Sequence, residues 1–210
     1  MLPSRIHAVK GVVIALSGPS GVGKGTVISK VRQIAPQMKH SVSITTRTPR
    51  AGEVEGVDYY FKTKEEFEKL LDKGEILEHD IYCDHYYGTP LTPLIECIEQ
   101  GVDVIMDITV LGSIAVMERF PEAVSVFLLP PSFKELERRL FKRGTETLEI
   151  QEKRLENAVL EIKKANLFEY VLVNDDLEKT AMRILSIAEA ERYRYKRLKG
   201  IEDAVIQNQV

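Results

Sequence analysis

A glycine-rich stretch, GPSGVGKGT, runs from Gly18 to Thr26. The spacing Gly18-x4-Gly23-Lys24 lets the backbone fold into a nest of N–H donors around an anion, at the positive end of a following helix. The amine of Lys24 then supplies a positive charge for the outer phosphates of a nucleotide. A glycine-rich turn that binds no ligand is the alternative interpretation when the pattern is taken alone.

The segments on either side of this stretch favour the phosphate-binding interpretation. An apolar run at residues 12–16 precedes it and a helix-compatible segment at residues 26–35 follows it, which is the strand, loop and helix order of such sites. The most general form of the motif has Ser or Thr directly after the lysine to hold magnesium, whereas this chain has Gly25 and then Thr26. In this respect the loop resembles that of nucleoside monophosphate kinases, in which water and nucleotide oxygens largely hold the metal, and differs from that of GTPase switches.

Two arginines, Arg47 and Arg50, flank a Thr-Pro pair and are followed by Gly52 and Gly56. This pattern indicates a loop that could offer two planar guanidinium groups to one dianionic phosphate. A solvated basic loop is the alternative when the stretch is taken alone.

Together with the glycine-rich stretch, the segment SVSITTRTPRAGEVEGVDYYF at residues 41–61 closely resembles the guanylate kinases. The resemblance extends from about residue 11 to about residue 187. Several separate motifs in the right order are more specific than any one of them. The further matching motifs are YYGTP at 86–90, LLPPS at 128–132, RGTET at 143–147 and VNDD at 173–176.

The resemblance implies an α/β fold of the P-loop nucleoside monophosphate kinase type. Its core has five parallel strands with helices on both faces, and it carries a nucleotide-binding insert and a small lid. Apolar runs rich in β-branched residues at 12–16, 102–106, 124–129 and 170–173 predict such a parallel sheet. The alternating run at 41–44 predicts a further short strand.

We expect one domain over residues 1–210. The expected GMP-binding insert is 44–93, the expected lid is 143–156, and a C-terminal helical extension covers 191–210. The remaining segments, 10–43, 94–142 and 157–190, are expected to form the core.

For the donor nucleotide, the resemblance implies contacts from the glycine-rich loop, an arginine of a later helix and an asparagine after the last core strand. A solvated helix face is the alternative for the arginine, and a turn with a helix cap is the alternative for the asparagine. Arg143 and Arg154 match arginines that close over the transferring phosphoryl group, and with Lys24 they are the predicted catalytic residues. The predicted ATP-binding residues are Gly18, Pro19, Ser20, Gly21, Val22, Gly23, Lys24, Gly25, Thr26, Arg139 and Asn174.

For the acceptor nucleotide, the predicted specificity residue is Glu78. A carboxylate can accept two parallel hydrogen bonds from the N1–H and 2-amino groups of guanine, a pair of donors that adenine lacks. Taken alone, Glu78 would be interpreted as a surface acid after a helix. Four side chains, Arg47, Arg50, Tyr59 and Tyr87, are implied to grip the phosphate. The full predicted acceptor site is Ser43, Arg47, Arg50, Glu53, Tyr59, Glu78, Tyr87, Thr89 and Asp107.

The run GVDVIMD predicts a strand that ends at Asp107, beside the phosphate loop. An acid there can orient magnesium through water. The resemblance implies ATP and Mg²⁺ as cofactors, with the metal held by water and nucleotide oxygens, and Asp107 is the candidate protein group.

The sequence departs from the family pattern near the expected acceptor pocket. Relatives usually carry an acid at the position of Thr109, near the acceptor base or its ribose, and a glutamine at that of Leu111. They also carry tryptophan and asparagine where this chain has His79 and His85, which we interpret as tolerated changes at the pocket rim, with a new titrating role as the alternative. These departures leave a kinase with a different acceptor as an alternative, and a non-catalytic guanylate-kinase-like binding module as another.

Composition narrows the partners. The chain has 210 residues, 44% of them hydrophobic, and a formal net charge of −3, which gives no general attraction to nucleic acid or anionic membrane. No apolar run approaches the ~20 residues of a membrane span, and residues 1–10 lack the apolar core of a secretory signal. We expect a cytoplasmic protein with GMP or dGMP and ATP as substrates, and we assign no function to the basic segment at 192–199.

Overall fold

The computed structural model describes residues 10–50, 52–82, 84–141 and 148–207. Two 3₁₀ turns, Lys163–Leu167 and Tyr195–Arg197, lie late in the chain. The strands are β1 Val13–Ser17, β2 Lys39–His40, β3 Ile44–Thr45, β4 Tyr60–Phe61, β5 Ile76–Tyr82, β6 His85–Pro90, β7 Val104–Asp107, β8 Val124–Leu129 and β9 Tyr170–Val173. The helices are α1 Lys24–Ile34, α2 Lys64–Asp72, α3 Leu91–Glu99, α4 Val110–Arg119, α5 Phe133–Phe141, α6 Leu148–Ile162, α7 Leu177–Arg192 and α8 Ile201–Ile206.

The core is a five-stranded parallel sheet with the strand order β2-β7-β1-β8-β9. Successive residues of a strand face opposite sides of a sheet, and β1 is buried on both. Ile14 and Leu16 pack with apolar residues of α1 and α7, whereas Val13 and Ala15 pack with apolar residues of α3 and α4. The predicted parallel α/β core with helices on both faces is confirmed.

The outermost strand of the core sheet on one side is β2. Of the short strand predicted at residues 41–44, only Ile44 lies in a strand, β3, and residues 41–43 do not. Lys39 pairs with Val104 and His40 with Ile105, whereas Ile44 pairs with Tyr60 in a different sheet. The two residues of β2 are polar, which leaves no apolar alternation for a sequence pattern to detect.

The second sheet has the order β4-β3-β6-β5, with β3 parallel to β4 and antiparallel to β6. Helix α2 covers one face of it, where Phe67, Ile44 and Ile76 form a buried cluster. A capping box starts α2: the N–H of Glu66 donates to Thr63 Oγ1 at 3.2 Å, and the N–H of Thr63 donates to Glu66 Oε2 at 2.7 Å. The other face of the sheet is left to line a cavity.

Helix α6 begins inside the segment predicted as the lid, 143–156, and continues to Ile162, in a segment predicted as core. It packs on α5, where Ala158 meets Leu136 and Leu140. Residues 142–147, with the predicted catalytic Arg143, lie outside the described residues.

The basic C-terminal segment is engaged with its own chain. Arg192 forms an ion pair with Asp103, which also accepts a hydrogen bond from the backbone N–H of Val12. Arg194 pairs with the buried Glu191 at 3.1 Å. Among the described helices, none combines the length and the apolar character that crossing a bilayer requires.

Candidate active site

The glycine-rich loop joins β1 to α1. Gly18, Gly21 and Gly23 have φ values of 147°, 84° and 101°, in the region that favours glycine. A Cβ at Gly18 would lie 2.5 Å from the carbonyl oxygen of Leu128, so the loop also needs glycine for its close approach to β8. Gly23 is the N-cap of α1, and among the residues that the structure describes no side chain caps this helix. The backbone N–H groups of its first turn therefore suit an anion.

Lys24 and Asp107 face each other across this loop. The Lys24 amine donates to the Gly18 carbonyl at 3.0 Å and lies 3.9 Å from Asp107 Oδ1. Asp107 ends β7, directly beside Leu16 of β1. Burial raises the pKa of Asp107, and the charges of Lys24 and His40 oppose that rise.

A cavity of about 630 Å³ opens over the loop. Of the predicted ATP-binding residues, most line it, whereas Gly18, Pro19 and Val22 do not. The lining residues are Ser20, Gly21, Gly23, Lys24, Gly25, Thr26, Asp107, Arg139, Asn174, Asp175 and Leu177.

Arg139 and Asn174 both donate hydrogen bonds to the backbone of the glycine-rich loop. The carbonyl of Val22 accepts hydrogen bonds from Arg139 Nη1 and from Asn174 Nδ2, each at 2.9 Å. Glu135 holds the Arg139 guanidinium at 2.8 Å, and hydrogen bonds from Arg138 and Arg139 lower the pKa of Glu135 to about 2. Arg139 therefore does not lie on a solvated helix face.

Asn174 is 7% exposed and does not cap α7. The cap is Asp176, whose carboxylate accepts from the N–H of Lys179 at 2.9 Å. The cap interpretation of Asn174 is therefore wrong, and its amide instead donates to the Val22 carbonyl, while Asn174 itself lines the first cavity.

Helix α6 contacts the loop at Ser20. Arg154 Nη2 donates to Ser20 Oγ at 2.7 Å, and the N–H of Ser20 donates to Glu161 Oε2 at 3.3 Å. The predicted catalytic arginine is thus held at the rim of the first cavity.

A second cavity, of about 280 Å³, lies between the end of β7 and the uncovered face of the second sheet. It shares Lys24 and Asp107 with the first cavity. Five predicted acceptor residues line it, and sequence reasoning missed His40, Asp58 and Asp80. The lining residues are Lys24, His40, Ser43, Asp58, Tyr59, Glu78, Asp80, Tyr87, Gly88, Asp107, Ile108 and Thr109.

Glu78 is buried in the wall of this second cavity, with 6% of its surface exposed. Thr89 Oγ1 donates to Glu78 Oε1 at 2.7 Å. Burial raises the pKa of Glu78, the hydrogen bond from Thr89 opposes the rise, and the nearby charge of Asp80 adds to it. The interpretation of Glu78 as a surface acid is wrong, and Thr89 acts on the cavity through this carboxylate.

The arginine-bearing loop is shaped by Glu53. Its carboxylate binds the Arg47 guanidinium in a fork, at 2.7 Å and 3.0 Å, and accepts from the backbone N–H of Arg50 at 2.7 Å. The Arg47 guanidinium carbon lies 5.4 Å from the ring centre of Tyr59, which lines the second cavity. Glu53 therefore holds Arg47 against Tyr59 at the edge of the second cavity, and Arg50 is exposed.

A family model described as guanylate kinase matches residues 10–191. The chain belongs to the guanylate kinase family. It is 48% identical over 189 residues to a guanylate kinase of Halalkalibacterium halodurans, covering 90% of this chain and 93% of the relative. A guanylate kinase of Lactococcus lactis is 46% identical, with coverage of 90% and 92%. The crystal structure of guanylate kinase from Anaplasma phagocytophilum has a TM-score of 0.75 and 36% identity, with 93% of each chain covered.

The departures from the guanylate kinase pattern have distinct environments. Thr109 is the N-cap of α4, accepting from the N–H of Gly112 at 3.0 Å, and its hydroxyl donates to Asp80 Oδ2 at 3.0 Å. Leu111 is 58% exposed. His79 lies beside Phe67 with 6.3 Å between ring centres. Strand alternation puts His79 on the face opposite Glu78, so its expected place at the pocket rim was wrong.

Proposed function

We propose that this protein transfers the γ-phosphoryl group of ATP to GMP, giving ADP and GDP. The observation that carries the proposal is the meeting of two cavities at Lys24 and Asp107. One cavity contains the phosphate loop, which suits a nucleoside triphosphate. The other contains the buried carboxylate of Glu78, which suits guanine.

The reaction needs no activated nucleophile, because a phosphate oxygen of GMP is already anionic. It attacks the γ-phosphorus as the bond to the β,γ-bridging oxygen breaks, and the negative charge of the leaving group stays on ADP. The task of the chain is to align the two phosphates and to stabilise the shared charge. Lys24 stands where the two cavities meet and is suited to that role.

Acceptor binding is assigned to the second sheet and its loops, the insert at residues 44–93. Glu78 would accept from the N1–H and 2-amino groups of guanine, held in place by Thr89. Ser43, Tyr59 and Tyr87 also line this cavity. Arg47 and Arg50 would bind the phosphate, for which the fork between Arg47 and Glu53 presents one guanidinium.

The lid at residues 143–156 would bring Arg154 over the transferring group, with Arg143 as its partner. The contact of Arg154 with Ser20 supports this assignment, because Ser20 belongs to the phosphate loop. Expulsion of water by closure would favour transfer to GMP over hydrolysis.

Mg²⁺ fits the junction of the two cavities. Asp107 lines both cavities and carries carboxylate oxygens, the kind of ligand that Mg²⁺ prefers. Over the described residues, no group of three or more His, Cys, Asp or Glu side chains could hold a metal by itself. The ion would therefore be held mainly by phosphate oxygens and water, with Asp107 orienting that water, and it would neutralise charge on the β- and γ-phosphates. We assign the reaction to the cytoplasm, because both substrates are highly charged nucleotides that do not cross a bilayer unaided.

The experiment that tests this function is a coupled ADP-release assay with ATP, Mg²⁺ and each of the nucleoside monophosphates AMP, GMP, CMP and UMP. Lys24→Ala serves as the blank. Turnover with GMP that far exceeds turnover with the other three is expected. A preference for AMP would overturn the role of Glu78, and absence of turnover with every acceptor would favour a non-catalytic binding module.

A further inference from the structure

Asp80 and Glu78 lie on the same face of β5, because residues two apart on a strand point the same way. Both line the second cavity. Across the ladder, Glu78 pairs with Thr89 and Asp80 pairs with Tyr87. The cavity therefore presents two carboxylates, with their α-carbons about 6.6 Å apart along the strand.

The Asp80 carboxylate is held in position. Its Oδ2 accepts from the Thr109 hydroxyl at 3.0 Å, and its Oδ1 accepts from the N–H of Ile81 at 2.8 Å. A carboxylate oxygen can accept two hydrogen bonds. Each oxygen of Asp80 therefore has capacity for one further donor.

The first turn of α4 fixes both carboxylates relative to each other. The N–H of Gly112 donates to Thr109 Oγ1, and Thr109 holds Asp80. The α-carbon of the same glycine lies against Glu78, since a Cβ there would be 2.5 Å from Oε2. One backbone turn thus sets the spacing of the two acidic groups.

We propose that Asp80 is a second specificity residue, accepting a hydrogen bond from the guanine 2-amino group, with Thr109 as its positioning residue. This inference rests on the proposed function. Glu78 has two oxygens, one for N1–H and one for the nearer N–H of the 2-amino group. The second N–H of that amino group also needs an acceptor once the site is desolvated. Asp80 is the neighbouring acceptor on the same strand face.

The same contact accounts for Thr109, where the family usually carries an acid. The Thr109 hydroxyl is within hydrogen-bond distance of the Asp80 carboxylate. The acidic group therefore reaches this part of the cavity from β5, and Thr109, two residues after the end of β7, supplies the donor that orients it. The negative charge is thus kept in this part of the cavity, but Asp80 of β5 carries it in place of an acid at position 109.

The first test compares GMP with IMP, which lacks the 2-amino group, in wild type and Asp80→Asn. We expect kcat/KM for GMP to fall by roughly tenfold to a hundredfold, mainly through KM, and kcat/KM for IMP to change by less than about threefold. Asp84→Asn is the matched control, because Asp84 is exposed in the turn of the same hairpin with φ of 63°. Equal losses for GMP and IMP, or no loss for either, would overturn the proposal.

The second test moves the carboxylate from position 80 to position 109. Thr109→Asp keeps a good N-cap for α4 but sets a second carboxylate beside Asp80, so GMP use should fall. The double variant Asp80→Thr with Thr109→Asp should recover the wild-type ratio of GMP to IMP within about threefold. A double variant no better than the single variants would contradict the proposal. Wild type without GMP turnover would instead overturn the proposed function, so the two failures are distinguishable.

Discussion

The carboxylate of Glu78 lies directly against the α-carbon of Gly112, so that a Cβ at this glycine would stand 2.5 Å from Oε2. This contact joins β5 of the second sheet to the first turn of α4, which follows β7 of the core. The position of the Glu78 carboxylate, the proposed guanine ligand, therefore depends on the absence of a side chain at Gly112 of α4.

Gly112→Ala should displace Glu78 without unfolding the protein. Alanine is the better helix former, and the displaced group is the end of a flexible side chain. We expect KM for GMP to rise by roughly tenfold, because the displaced carboxylate would lose the alignment of one charged hydrogen bond to guanine, and such a bond contributes about tenfold in affinity. KM for ATP, measured in the same assay, is the internal control and should stay within about twofold. An unchanged KM for GMP would show that Glu78 adapts without loss.

The pKa of Glu78 makes stability depend on pH. Burial raises this pKa above its ordinary value of 4.5. A carboxyl group with a raised folded-state pKa contributes stability that is fully present below its unfolded pKa and is lost as pH rises through the folded value. Glu78→Gln stays neutral throughout, so we expect it to melt at a higher temperature than wild type at pH 8.

That advantage of Glu78→Gln should shrink as pH falls toward 4.5, where the wild-type carboxyl is also neutral. Scanning calorimetry from pH 8 downward measures it, with Glu75→Gln as an exposed control next to the same strand. A difference in melting temperature that does not vary with pH would contradict the raised pKa.

The fork between Arg47 and Glu53 gives a prediction for phosphate binding. Glu53→Gln removes the charge that orients the guanidinium and leaves Arg47 more rotamers. We expect KM for GMP to rise by roughly tenfold with a smaller effect on kcat. Glu68→Gln, on the exposed side of α2, is the control. If the substitution lowers kcat and leaves KM intact, Arg47 is not a ground-state phosphate ligand.

Arg154→Ala tests the arginine of the proposed lid. Arginines that neutralise a transferring phosphoryl group are worth roughly 10³- to 10⁵-fold in rate in other enzymes, so turnover should fall by orders of magnitude while KM for GMP changes far less. The neighbouring Lys153→Ala is exposed and should behave as wild type. Near-normal turnover of Arg154→Ala would show that Arg154 has no catalytic role and that its hydrogen bond to Ser20 serves only to hold α6 on the loop.

Residues 12–16 could be predicted as a core strand because continuous apolar residues suit a strand buried on both faces. The glycine-rich loop and Lys24 could be predicted because the spacing of residues within this short stretch determines the loop geometry. The polar strand β2 carries no such pattern, so its place at the sheet edge came only from pairing with Val104 and Ile105.

The roles of Asp80 and Gly112 could not be predicted for a different reason. Both depend on the approach of β5 to α4, which are distant in sequence, and no local motif marks either residue. The one usable signal was the two-residue spacing of Glu78 and Asp80, which places both on one strand face. Arg139 and Asn174 were placed by resemblance, and their shared contact with the Val22 carbonyl became visible only in the fold.

The most direct test of the account follows the phosphoryl group itself. Wild-type protein is incubated with ATP labelled on the γ-phosphate, Mg²⁺ and GMP, and the products are separated by chromatography. We expect the label to appear in GDP, at a rate that falls to background with Lys24→Ala. Label recovered as inorganic phosphate, or left in ATP, would contradict it.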